Sequence, residues 1–251
     1  MKGMKTIGVI PARLESTRLE RKLLRDLLGK PVIQHVWEHA RRARLLDDVL
    51  VACDDELIRD AVRAFGGKAV LTSKDHTTGT ERLAEVVNDI DVQWIVNIQG
   101  DEPLVNPLTI DDLVTLIQKD PSYVMATVVK RTRSIEEFRD PDVVKAVLDE
   151  DQNVLYFSRS PVPSLLKEGD WFYKHVGLYA YTKDFLFTFK KFPPSYLEKN
   201  ERLEQLRALE HGYRIQAIET PFESIGIDTL GDLERAREIL AHAEGASSLR
   251  R

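Results

Sequence analysis

The sequence predicts an α/β protein built on a mostly parallel sheet covered on both faces, and three observations carry that expectation. Short apolar runs at Thr6–Ile10, Val49–Cys53, Ala69–Leu71 and Trp94–Ile98 read as strands, the first and last of them buried. Stretches with helical spacing of apolar residues lie between them, over Pro31–Ala43, from Asp54 to Ala64, and over Thr80–Asn88. The middle third abandons this alternation: Val143–Leu148 and Val154–Ser158 are joined by the polar turn Asp149–Asn153, and Lys174–Tyr181 alternates with a period of two. A smaller mixed sheet, over roughly 130–195, is therefore expected as an insertion into one domain spanning 1–243, followed by a flexible tail over 244–251.

Local chemistry supports each element. Pro31 suits a first helical turn, where its missing N–H has no partner to lose. Asp54 can cap the second helix, and Gly66-Gly67 can end it. Thr78 with Glu81, and Ser195 with Glu198, have capping-box spacing. The second of these opens a helix expected to end near Gly212. A helix is expected from Pro107 to Lys119, strands at Val124–Val129 and Ile215–Ile218, and a closing helix over Thr229–Ala241.

With 43% hydrophobic and 31% charged residues, the 251-residue chain has the balance of a soluble globular protein. Its net charge of −5 gives no general attraction to nucleic acid or to a membrane surface. The single cysteine, Cys53, allows no internal disulfide and suits a reducing compartment. Met1–Ile10 lacks the apolar length of a signal peptide, and no segment has membrane-spanning length, so a cytoplasmic location is expected. Neither a G-x-G-x-x-G after the first strand nor a G-x-x-x-x-G-K-[ST] occurs, which sets aside dinucleotide-binding and P-loop enzymes.

Two loops at strand ends carry the chemistry. After the first strand, Arg13, Arg18, Arg21 and Lys22 fall within ten residues, with Ser16 and Thr17 among them. Guanidinium forks and an ammonium at such a place suit a polyphosphate. After the fourth strand, Gln99-Gly100-Asp101-Glu102-Pro103 delivers a carboxylate of the kind that holds Mg²⁺ against phosphate oxygens. A second such acid is Asp228, in Gly226-Ile227-Asp228-Thr229.

Pro11-Ala12-Arg13, Ser16-Thr17-Arg18-Leu19, Lys22 and Gly29-Lys30-Pro31 together resemble the nucleotide loop of the sugar nucleotidylyltransferases that activate acidic sugars with CTP. Gly79-Thr80-Glu81-Arg82, Gln99–Pro103, Tyr156–Arg159, Lys174–Gly177, Leu203–Arg207 and Gly226–Thr229 follow in the order found in the branch that uses 3-deoxy-D-manno-octulosonate (Kdo). The resemblance spans about residues 6 to 240. One departure stands out, because Glu20-Arg21 occupies the place of the family's Pro-Gly before Lys22.

The resemblance implies a three-layer α/β/α nucleotidyltransferase fold, like that of the nucleotide-diphospho-sugar transferases, and transfer of CMP from CTP to Kdo. It also implies a homodimer. By the same resemblance Asp101 and Asp228 hold Mg²⁺, Arg13 and Lys22 bind the phosphates with Arg18 in support, and these four of Asp101, Asp228, Lys22 and Arg13 are the catalytic set. Ala12 and the turn Thr78-Gly79-Thr80 lie near cytosine and ribose, and Gln99 serves both ligands. Arg159 receives the sugar carboxylate, while His175, Tyr179, Glu204 and Gln205 bond its hydroxyls. An 8-amino derivative of Kdo or a sialic acid stays open as the acceptor, and so does a catalytically silent nucleotide-binding protein.

Rival motifs are weaker. His35-Val36-Trp37-Glu38-His39 has the H-x-x-E-H spacing of a zinc protease, but the apolar stripe of its helix explains the same order and no third ligand is evident. Cys53 precedes Asp54 and Asp55, whose charges oppose a thiolate. Ser16 and Ser158 lack a G-x-S-x-G context.

Overall fold

Strand β1 (Thr6–Ala12) opens the chain and is buried almost throughout, as its unbroken apolar run requires. The computed structural model describes residues 5–16, 18–120, 122–164, 167 and 169–248. Thr17, part of the loop motif, lies outside the described residues. A single 3-10 turn (Lys22–Leu24) and a small hairpin of β2 (Asp26–Leu27) and β3 (Lys30–Pro31) follow. Then come α1 (Val32–Ala40), β4 (Asp48–Cys53), α2 (Glu56–Ala64), β5 (Lys68–Leu71), α3 (Gly79–Val87), β6 (Trp94–Asn97) and α4 (Pro107–Lys119).

The chain divides into two compact units, the first comprising 1–111 and 223–251 and the second 112–222, with the division falling inside α4. In the first unit β6, β1, β4 and β5 lie side by side in that order and all run parallel. Right-handed crossovers put α1 and α2 on one face, because the chain steps twice in one direction, and α3 on the other as it steps back to β6. The expected helix–sheet–helix layering follows. Ile7, Val9, Ile10, Val51, Ala52, Ile95 and Val96 are at most 1% exposed. Burying each larger aliphatic side chain contributes about 1.5–3 kcal/mol.

The second unit holds β7 (Met125–Thr132), α5 (Ile135–Arg139), β8 (Lys145–Leu148), β9 (Val154–Ser158), β10 (Phe172–Thr182), α6 (Lys183–Lys190), α7 (Tyr196–Glu201), α8 (Leu206–Glu210) and β11 (Gln216–Glu219). Its sheet is mixed: β11 pairs parallel with β7, and the β7–β10, β10–β8 and β8–β9 pairs are antiparallel. Helix α9 (Leu230–Ser248) then closes the first unit.

Several expectations change. Asp55, not Asp54, caps α2 by accepting from the Leu57 N–H at 2.9 Å, and Asp54 instead accepts from the Leu14 N–H at 2.9 Å. Pro31 is the N-cap of α1 and not its first helical residue. The helix opened by Ser195 stops at Glu201, because Arg202 turns left-handed (φ 56°), and a separate α8 follows. The tail expected to fray from Glu244 is helical through Ser248, and 249–251 lie outside the described residues. Helix α6 escapes the pattern reading because Phe185, Phe187 and Phe189 recur with a strand's period. The alternation of β10 is interrupted between Val176 and Tyr179 by a bulge, and Leu178 within it and Tyr179 to Tyr181 after it are all buried.

Candidate active site

The parallel strands of the first unit all end on one side, and the functional loops gather there. Pro11, Ala12 and Arg13 from the end of β1, Lys22 and Leu23, and Gln99, Gly100 and Asp101 after β6 line a cleft of about 270 Å³ with Thr78 and Gly79 at the start of α3. Of the residues assigned to the nucleotide, Ala12, Arg13, Lys22, Thr78, Gly79 and Gln99 line this cleft. Thr80 is 2% exposed on the buried side of α3, and Arg18 lies at the surface beside Asp228. Thr78 caps α3 by accepting from the Glu81 N–H at 3.2 Å, while the Glu81 carboxylate reaches the Thr77 N–H at 2.8 Å.

Asp101 and Asp228, far apart in sequence, converge on one ammonium. Lys22 Nζ donates to Asp101 Oδ2 at 2.5 Å and to Asp228 Oδ1 at 2.9 Å. Arg18 Nη2 donates to the other oxygen, Asp228 Oδ2, at 2.7 Å. Burial by itself would lower the Lys22 pKa, but the two carboxylates outweigh it and raise it.

The meeting has a packing cause. Leu19, Leu27, Val32, Ile227, Leu233 and Ala236 form one apolar cluster, which seats the loop bearing Arg18 and Lys22 beside the segment bearing Asp228. The Ile227 N–H donates to the Asp101 carbonyl at 2.9 Å, and Ser224 Oγ donates to the Glu102 carboxylate at 2.5 Å. Glu102 thus ties the two loops together. Thr229 and Asp232 cap α9 reciprocally, with Thr229 N–H to Asp232 Oδ2 at 2.8 Å and Asp232 N–H to Thr229 Oγ1 at 3.2 Å, which fixes the residue after Asp228.

Arg21 adopts the left-handed conformation (φ 51°) just ahead of Lys22. Glycine enters that region freely, whereas arginine there costs about 1 kcal/mol. Arg21 thus occupies a conformation that glycine would adopt at less cost.

Three polar side chains of the cleft were not singled out from the sequence as ligands, those of His76, Thr77 and Arg82. Arg82 is 4% exposed and donates from Nη1 to Thr72 Oγ1 at 2.5 Å and to the Ser73 carbonyl at 3.2 Å, and from Nη2 to Asp54 Oδ2 at 3.3 Å. It joins α3 to the ends of β4 and β5. An arginine on the apolar side of an amphipathic helix was the available signal. His76 Nε2 pairs with Glu85, and nothing in its local sequence marks it.

The residues assigned to the acidic sugar, other than Gln99, belong to the second unit. Arg159 donates from Nε to the Glu201 carbonyl at 3.0 Å and from Nη1 to the Pro141 carbonyl at 2.9 Å. His175 and Tyr179 lie together, with ring centroids 5.2 Å apart. Tyr179 is buried and stacks on Tyr181 at 5.9 Å, as a core aromatic does. Gln205 precedes α8 and is 8% exposed, and Glu204 lies 3.9 Å from Arg207.

His175 Nε2 is 3.1 Å from Thr127 Oγ1, whose own proton goes to the Leu178 carbonyl at 3.0 Å. Nε2 therefore carries the imidazole proton and Nδ1 is the acceptor. Burial pushes the His175 pKa from 6.5 down to about 3, so the ring is neutral near pH 7. The unfolded chain takes up this proton first, so stability falls as pH drops from 6.5 toward 3. Between pH 7 and pH 5 the wild type should lose about 2 kcal/mol more than His175→Gln, measured by urea denaturation.

The rival motifs are occupied otherwise. His35 Nε2 meets the Leu27 carbonyl at 2.6 Å, and Glu38 accepts from Lys30 Nζ at 2.7 Å, so H-x-x-E-H presents no joint metal site. Among the described residues no group of three or more His, Cys, Asp or Glu could hold a metal. Cys53 is fully buried, and that burial, with the Asp54 charge, pushes its thiol up to about 11.

Comparison with known proteins places this geometry. The Cytidylyltransferase family profile matches residues 7–217. A 3-deoxy-manno-octulosonate cytidylyltransferase of Geotalea uraniireducens (strain Rf4) is 50% identical over 249 residues, covering 94% of this chain and 99% of that protein. The protein of the same name from Geobacter sulfurreducens is 49% identical, covering 94% of this chain and 100% of its own length. A solved structure described as CMP:2-keto-3-deoxy-manno-octonic acid synthetase complexed with CTP superposes with a TM-score of 0.90 at 41% identity, covering 95% of this chain and 99% of that one. With a matching profile over most of its length and relatives at half identity over nearly all of it, the chain belongs to the cytidylyltransferase family, among the 3-deoxy-manno-octulosonate cytidylyltransferases.

Proposed function

We propose that the protein transfers CMP from CTP to the anomeric hydroxyl of Kdo, releasing pyrophosphate and forming CMP-Kdo for lipopolysaccharide synthesis. The observation that carries this reading is the convergence of Asp101 and Asp228 on Lys22 at the mouth of a cleft edged by Arg13. It occurs in a chain half identical to proteins named for that transfer.

The hydroxyl oxygen of the sugar bonds to the α-phosphorus, the bond to the β-phosphate oxygen breaks, and the hydroxyl proton leaves to solvent. Such a step depends mainly on positioning and on neutralising phosphate charge. Arg13 and Lys22 bind the triphosphate oxygens, and Arg18 steadies Asp228. Ala12 and Thr78-Gly79-Thr80 bracket the base and ribose with main-chain groups, and Gln99 offers its amide beside Asp101.

The acids fit a divalent cation, since both carboxylates already face one cation, the Lys22 ammonium. Two carboxylates, with further places filled by phosphate oxygens and water, are what Mg²⁺ takes. When bound, Mg²⁺ neutralises phosphate charge. Asp101 and Asp228 would hold it, while the Lys22 ammonium moves its bonds from the carboxylates to the phosphates. In the second unit Arg159 receives the sugar carboxylate, His175 Nδ1 accepts from a hydroxyl, and Tyr179, Glu204 and Gln205 complete the set.

Pyrophosphate release tests the reading. It is expected with CTP and Kdo and with neither UTP nor ATP, and its absence with every acidic sugar overturns it. Turnover on an 8-amino derivative or a sialic acid in place of Kdo would reassign the acceptor. We also place the enzyme in the cytoplasm and read it as a homodimer. Among the described residues no helix is long and apolar enough to cross a membrane. Light scattering should give about twice the 28.7 kDa chain mass, and the mass of a single chain would overturn the dimer.

A further inference from the structure

The half-buried Arg159 is held in a way that the buried Arg207 of the same unit is not. Arg207 faces a carboxylate squarely, donating from Nε to Glu198 Oε2 at 2.7 Å and from Nη2 to Glu198 Oε1. Its charge is consumed in that pair. Arg159 is fixed along one edge by two neutral carbonyls, those of Glu201 and Pro141. Its nearest ion pair is 3.9 Å away, to an Asp142 side chain that is 78% exposed. Nη2 makes no hydrogen bond among the described residues. The guanidinium is oriented without being neutralised, which is what a receptor for a carboxylate requires.

What orients it is a second cation. Lys145 is wholly buried at the start of β8, and its ammonium donates to the carbonyls of Asp140, Val143 and Arg159, each at 2.7 Å. An ammonium has three protons, and all are spent on main-chain oxygen. Burying one without a directly bonded carboxylate is costly, and an apolar residue would fill a strand position at less expense. The two other carbonyls flank Pro141, whose own carbonyl holds Arg159 Nη1. Lys145 therefore grips both the Arg159 main chain and the loop that aims its side chain.

Glu201 closes the arrangement from the end of α7. Its Oε2 accepts from the Arg159 N–H at 2.8 Å, and its Oε1 accepts from Ser158 Oγ at 2.7 Å and from the Tyr156 hydroxyl at 3.3 Å. The Arg159 main chain is thus held through its N–H by Glu201 and through its carbonyl by Lys145.

We propose that Lys145 and Glu201 are positioning residues that hold Arg159 as a preorganised receptor for the carboxylate of the acidic sugar. This rests on the reading of Arg159 given above. Loosening the clamp costs ordering of Arg159 when the sugar binds and leaves the nucleotide cleft untouched.

Steady-state kinetics with CTP and Kdo on the full-length protein test it. Lys145→Met keeps an unbranched side chain one atom shorter and removes the three donors, and Glu201→Gln keeps the side-chain shape while turning one acceptor oxygen into an amide donor. Each is expected to raise the KM for Kdo about tenfold and to leave the KM for CTP within about twofold. Arg159→Ala should raise the KM for Kdo at least as far, and adding Lys145→Met to it should change little more, because the lysine acts through the arginine. If Arg159→Ala leaves the KM for Kdo unchanged, the reading of Arg159 fails and the proposal falls with it. If Arg159→Ala raises that KM and both clamp variants leave it alone, or weaken Kdo and CTP equally alongside a lowered melting temperature, only the clamp is overturned. Should Lys145→Met not fold, Glu201→Gln reads the same split.

Discussion

Asp101→Asn is expected to lower Mg²⁺-dependent pyrophosphate release by about a thousandfold, with Asp228→Asn close behind. An amide keeps the shape of the carboxylate and one acceptor oxygen but loses the charge that a divalent cation needs. Asp101 should be the more sensitive. Its side chain is 27% exposed against 41% for Asp228, and its own carbonyl is tied to the Ile227 N–H. The fold should survive both changes, because Lys22 keeps one carboxylate partner in either variant. A coupled pyrophosphate assay beside a thermal melt checks both points. Wild-type turnover by either variant would remove that residue from the metal, and a collapsed melting curve would make the loss of activity structural.

Gly100→Ala is expected to reduce turnover by about a hundredfold although it removes no functional group. A Cβ built on Gly100 would stand 2.8 Å from the Pro11 carbonyl oxygen, with Ile33 Cδ1 at 3.4 Å and Ile10 Cγ2 at 3.5 Å. The obstacle is main chain, so relief must come from moving the end of β1 or the loop after β6. Those two segments carry Ala12 and Arg13 on one side and Gln99 and Asp101 on the other. Overpacking of this kind costs about 1–3 kcal/mol of stability. Kinetics and denaturant melts separate the effects: a variant that melts lower but keeps wild-type turnover would show that the close approach serves folding alone.

Much of this could be read from the chain. The run Trp94–Ile98, of which β6 covers Trp94–Asn97, is buried because three β-branched residues and a tryptophan have no polar alternation to expose, and Gly100 ends it. The parallel order followed from strands separated by helices, since a hairpin cannot join parallel neighbours. The cationic loop after β1 and the acid after β6 were visible as residue types that suit phosphate and Mg²⁺. Other features were hidden for physical reasons. Whether Asp54 or Asp55 caps α2 depends on which carboxylate the Leu14 N–H and Arg82 claim, and both of these come from elsewhere in the chain. The aromatic-rich α6 was not assigned from the sequence, because its phenylalanines recur with a period of two; its N-cap, Thr182, accepts from the Phe185 N–H at 3.1 Å.

By itself the sequence determined the layered α/β frame, the family, and the identities of the cations and acids that make up the proposed site. All of these depend on patterns within a few residues or on blocks in fixed order. Only the tertiary structure decided that Asp101 and Asp228 face one ammonium, that Arg82 laces the strand ends together, and that Lys145 and Glu201 hold Arg159. These pairings join residues up to 206 positions apart, as Lys22 and Asp228 show. They are set by which apolar surfaces pack, chiefly the cluster of Leu19, Leu27 and Ile227. Packing of that kind selects partners through shape and burial across the whole fold, and local sequence carries no record of it.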